Sequence, residues 1–184
     1  MLVGINYNKR MLKLSESFKS VAVLSLRVGG PIARTTGPII NPNNLFVEGW
    51  YVIDNRSGER LVLLTKDVRD IIDKGIVVDD HEVLSKSGEL IRLKDILRLK
   101  FNLVGLKVTS ESKKNYGKVS DYAFETDNFF VQKIYTQQPL IKNLSGGSLS
   151  IDRSQILEIT TKRVVIEDPV MKDKKSALAP NPIN

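Results

Sequence analysis

The chain has one histidine, His81, set in Asp79-Asp80-His81-Glu82. Imidazole flanked by carboxylates is the residue set of a divalent-metal or proton-transfer site. In an extended segment, however, adjacent side chains point to opposite faces. The segment reads as a solvated turn, with a metal or pH-sensing site as the alternative. There is no cysteine, so thiolate nucleophiles, thiolate metal sites and disulfides are excluded. With a single histidine, two-histidine metal motifs are excluded too. Gly29-Gly30 and Gly146-Gly147 lack the following Lys-Ser/Thr of a phosphate loop and read as turns. The sequence therefore points to no catalytic residue, no metal and no cofactor, and to a protein that is not an enzyme.

Binding chemistry is easier to find. The segment 137–147 should be a connection, yet it carries Leu140, Ile141 and Leu144 with Lys142 among them. These residues either fold back on their own core or form an exposed apolar patch for a partner. The aromatics Trp50, Tyr51, Tyr122, Phe124, Phe129, Phe130 and Tyr135 fall in strand-like segments, and aromatic strands can stack unpaired bases. Only Lys133 interleaves with them, so core packing is the better reading.

These residues have to be positioned by some framework, and the chain states its framework twice. Leu45-Phe-Val-Glu-Gly-Trp-Tyr-Val52 returns as Phe129-Phe-Val-Gln-Lys-Ile-Tyr-Thr136. The run 61–71 returns at 149–159, and Ile76-Val-Val-Asp-Asp80 returns as Val164-Val-Ile-Glu-Asp168. The β-branched and aromatic content of 45–52 and 129–136 predicts strands. Val68 and Ile71, like Ile156 and Ile159, are three apart, which predicts a helical turn led by Thr65 or Asp152 as cap. A last strand follows in each copy, at 76–79 and 164–167. Gly37-Pro38-Ile39 and Gly117-Lys118-Val119 look like matching turn-to-strand starts.

Between the copies, apolar residues at 90, 93, 96 and 97 predict a short amphipathic helix within a linker, 85–101. The modules then span 12–84 and 102–168, and the Pro- and Lys-rich 169–184 is expected to be a disordered tail. The net charge of +7 is spread over both halves, so neither is a basic domain. No run approaches the roughly 20 apolar residues of a membrane span, and residues 1–10, apolar first and basic after, do not read as a signal peptide. A cytoplasmic protein is expected.

The segments Leu103-Val-Gly105-Leu-Lys107-Val108, Tyr116-Gly117-Lys118-Val119-Ser-Asp121-Tyr122 and Leu149 to Ile156 resemble the PRC-barrel domain. The second copy matches better than the first, where Asn41-Pro-Asn-Asn44 departs from the pattern. The resemblance implies a mainly all-β fold of two SH3-like open β-barrels joined by the short helix. Relatives in that family include the C-terminal domain of RimM-type ribosome maturation factors and the reaction-centre H subunit. The family shares no catalytic residues and docks proteins, so the resemblance implies an adaptor with a protein partner. The alternative is a ribosome-associated factor that matures 16S rRNA, with an unlike N-terminal barrel.

Overall fold

The computed structural model describes residues 11–137 and 148–168. Strands β1 (Leu12–Leu14), β2 (Ala22–Ser25), β3 (Gly30–Asn41), β4 (Phe46–Asp54), β5 (Arg60–Leu64), β6 (Val68–Ile72) and β7 (Gly75–Val78) come first. The helix α1 (Lys94–Leu99) follows. Then come β8 (Lys107–Ser110), β9 (Asn115–Glu125), β10 (Val131–Gln137), β11 (Ser148–Asp152), β12 (Ile156–Ile159) and β13 (Arg163–Ile166). No helix among the described residues is long and apolar enough to cross a membrane.

The protein is mostly β, in two sheets. One runs β5-β4-β3-β2-β7-β6 and the other β11-β10-β9-β8-β13-β12. Shifting the first order by six strands reproduces the second. Each contains one parallel pair, β2 with β7 and β8 with β13. Both sheets are open: β5 and β6 end one, β11 and β12 the other, so neither is a closed barrel.

Register shows why the sequence repeat is detectable and where it misleads. Val68 and Ile71 lie on a strand, not on a helical turn. Val68 pairs with Val78 and Asp70 with Val77, so a β-bulge intervenes. An extra residue restores the original face after three positions instead of two. The same bulge separates Ile156 from Glu158. Another puts Val47 and Trp50 on one face of β4 despite their odd spacing, as Ile39 pairs with Gly49 and Ile40 with Val47. The tight turns are shorter than expected, Thr65–Asp67 and Arg153–Gln155, each one turn of 3-10 helix.

Gly37 is not the counterpart of Gly117. Thr35 pairs with Val52, and Val119 with Thr136, so Thr35 matches Val119 and Gly37 matches Asp121. At the bulge beside them, Thr36 donates to the Tyr51 carbonyl (3.2 Å) and Ser120 to the Tyr135 carbonyl (3.1 Å). A hydroxyl thus fills the same gap in both copies.

Two segments fall elsewhere than the sequence suggests. β1 pairs antiparallel with β9, so residues 12–14 join the second sheet, although they precede the first. The linker is helical only at Lys94–Leu99, with 3-10 turns at Ser87–Glu89 and Ile91–Leu93 before it. Short helices need tertiary burial, and Ile91 is 81% exposed. The chain stays helical only where Ile96 and Leu97 approach β3.

The core runs through both sheets as one cluster. At its centre, Phe18 stacks on Trp50 (5.5 Å between centroids) and tilts against Phe124 (4.9 Å). Trp50 also meets Phe124 and Phe129, each at 6.1 Å.

Candidate interaction surfaces

The acidic cluster around His81 disperses in three dimensions. Arg69 holds Asp79 through contacts of 2.6–2.8 Å and keeps its carboxyl below the usual range. Asp80 accepts from the backbone N–H of His81 and pairs with Arg27; its pKa is also lowered, first by that N–H. The His81 ring meets Asp54 Oδ1 at 2.8 Å. Among the described residues no group of three His, Asp or Glu converges on a point where a metal ion could sit.

Asp54 carries no signature of function in the sequence, only of a turn, with Ser57-Gly58 following it. It is 3% exposed. Its Oδ2 accepts from the Ser57 hydroxyl (2.6 Å) and the Ser57 N–H (3.0 Å). Burial acts to raise its pKa, but the Ser57 hydroxyl, His81 and the backbone N–H groups of Ser57 and Arg56 outweigh it and hold the carboxyl well below the usual range. Ser57 donates to the carboxylate and not to the imidazole, so the three residues are not wired as nucleophile, base and orienter. Their effect is to pin the β4–β5 turn to the segment after β7.

A second constellation sits where the two halves meet. The turns 41–46 and 125–130 have the same construction. Leu45 donates to the Asn41 carbonyl and Phe129 to the Glu125 carbonyl, each at 2.8 Å. Asn44 accepts from the Phe46 N–H (2.9 Å), and Asn128 from the Phe130 N–H (3.0 Å). Each turn is braced by an amide–carboxylate bond with the roles exchanged: Asn41 donates to Glu48 (2.9 Å), and Gln132 to Glu125 (3.2 Å). The turns meet tip to tip, with the Phe46 and Phe130 rings 5.1 Å apart. Arg153 closes the contact, lying 4.6 Å over the Phe130 ring and donating to the Asn44 carbonyl (2.8 Å).

A third surface is the far side of β3. Beyond the stretch paired to β2, no described strand lies beside Pro38–Asn41 on that edge. α1 stands off it, leaving a groove of about 480 Å³. Ile39, Ile40, Tyr51, Ile96, Leu97 and Phe101 line it, with Arg60 and Lys100 at the rim. Arg60 lies 4.4 Å over the Tyr51 ring.

No protein-family model matches the chain, and a search of the curated proteins finds no match either. Of the residues singled out in the sequence, Leu140, Ile141, Lys142 and Leu144 lie outside the described residues, as does the segment 169–184. Among the aromatics, Trp50, Tyr122 and Phe124 are buried core. Phe129 lies in a turn with left-handed backbone rather than on a strand. The β3 edge had no sequence signal of its own. Only comparing the neighbours of β3 and β9 exposes it.

Proposed function

We propose that this protein is a non-catalytic, cytoplasmic adaptor built from two PRC-type modules that bind another protein. The observation that carries the reading is the identical strand order of the two sheets, parallel pair included. Duplication of a whole module suits a docking scaffold better than a factor with two unlike barrels. The open sheets leave strand edges at which partners can add by main-chain hydrogen bonding.

The test is capture by the immobilised chain from lysate, at two salt concentrations, with and without nuclease. A captured protein must then rebind in purified form. Rebinding that survives nuclease supports an adaptor. Capture that vanishes on nuclease treatment overturns it in favour of an RNA- or ribosome-bound factor.

A further inference from the structure

We infer that the groove between the β3 edge and α1 accepts an extended, acidic segment of a partner protein as an added antiparallel strand. The inference rests on the protein-docking reading above and names its site. The first support is the second copy of the module. Phe124 pairs with Val131, as Ile40 pairs with Val47, so Phe124 and Ile40 are equivalent. The edge at Ala123–Glu125 is filled by β1, with Lys13 opposite Phe124. The Thr126 N–H donates to the Met11 carbonyl at 3.1 Å. Alternation along a strand then turns the backbone groups of Phe124, two residues back, toward β1. By equivalence the N–H and C=O of Ile40 face the groove. One copy of this module thus already holds a three-residue strand where, among the described residues, no strand pairs with the other.

The second support is charge. The groove has an apolar floor, which alternate side chains of an extended segment can cover. Its two charged lining residues are both cationic, Arg60 and Lys100, and both are exposed. Neither has an acidic partner among the described residues. β1 carries Lys13 at its centre and pairs with Asp73 of the first half at 3.6 Å, so a copy of β1 itself is the wrong charge for this rim. An acidic strand is the complementary occupant.

The experiment is an NMR titration of the full 15N-labelled chain with the peptide Glu-Leu-Glu-Leu-Glu-Leu, with Lys-Leu-Lys-Leu-Lys-Leu as the charge control. The acidic peptide should shift the amides of Ile39, Ile40, Asn41 and Lys100, and slow exchange of the Ile40 amide. Arg60→Glu with Lys100→Glu should weaken it about ten-fold and favour the basic peptide. If that variant loses a dispersed spectrum, Arg60→Gln with Lys100→Gln replaces it and should weaken binding in the same direction. Shifts confined to another edge, such as β6 or β12, overturn this site but leave the docking reading intact. Equal binding of both peptides overturns the charge argument. Absence of shifts with either peptide overturns the site, whatever the capture experiment finds. Self-association through β3, seen as concentration-dependent sedimentation, also overturns it, since the occupant is then a second copy.

Discussion

Leu45 and Phe129 carry the same left-handed backbone, φ 58° and 57°, and each gives its carbonyl to the strand that follows the other. The Val131 N–H reaches Leu45 at 3.0 Å and the Val47 N–H reaches Phe129 at 2.9 Å. The junction between the copies is therefore self-matching: one surface meets its own duplicate, as at a two-fold dimer interface. Because Trp50, Phe124 and Phe18 pack together beneath it, the halves share one buried aromatic cluster.

Phe124→Ala should therefore be felt in both halves. Phe124 is 1% exposed, and truncating a buried phenylalanine costs about 3–5 kcal/mol. Trp50 is the chain's only tryptophan and reports from the other sheet. In urea, its fluorescence and the far-UV circular dichroism should move together to a lower midpoint. A variant whose Trp50 signal keeps the wild-type midpoint would show that the sheets unfold independently.

Gly49→Ala should destabilise despite its small size. A Cβ at Gly49 would stand 2.1 Å from the Leu63 carbonyl oxygen, and that atom belongs to the paired backbone of β5. Relief requires strand displacement, at about 1–3 kcal/mol. The duplicate position is Lys133, paired to Asp152 at 2.7 Å, so the second copy tolerates a long side chain there. Lys133→Ala should accordingly cost less than Gly49→Ala in the same urea titration.

Thr136→Val should stabilise. Thr136 is fully buried and its hydroxyl has no hydrogen-bond partner among the described residues. The equivalent residue in the first half is Val52. The hydroxyl of Thr35, by contrast, donates to the Phe18 carbonyl at 2.6 Å and accepts from the Val21 N–H at 2.9 Å. Removing the idle hydroxyl should gain about 1 kcal/mol, while Thr35→Val should lose at least as much. Paired thermal melts distinguish the two directions.

Acid should destabilise the protein through Asp54. Its folded pKa lies below its unfolded value of about 3.9. The carboxyl thus contributes stability that is complete above the unfolded value and is lost as pH falls toward the folded one. Urea midpoints measured from pH 5 down to pH 2 should decline, and Asp54→Asn should flatten part of that decline. His81→Gln should lower stability at neutral pH by about 1 kcal/mol if its side chain fails to restore the bond to Asp54.

The duplication was legible in the sequence because paired β-strands repeat a pattern of buried side chains. Val47 with Val131 and Ile76 with Val164 align in the structure as they do in the chain. Bulges are not legible: an extra residue makes a strand imitate helical spacing, as Val68 with Ile71 does. The strand swap of Leu12–Leu14 was invisible because no local pattern says which sheet an isolated strand will join. Asp54 has no local signature because its partner His81 is 27 residues distant, a separation that no spacing rule covers. The β3 groove is a gap among the described residues, and sequence pattern records what is present.

The crossing of β1 to the second sheet has a consequence for synthesis on the ribosome. Ser15, just after β1, bonds Asp121, 106 residues further on. At about 5–20 residues per second, the leading segment waits several seconds for its partner strand. During that interval its exposed side chains, Met11, Leu12 and Leu14, remain available to chaperones and to neighbouring nascent chains. Among the described strands, β1 is thus the one whose partner lies furthest along the chain.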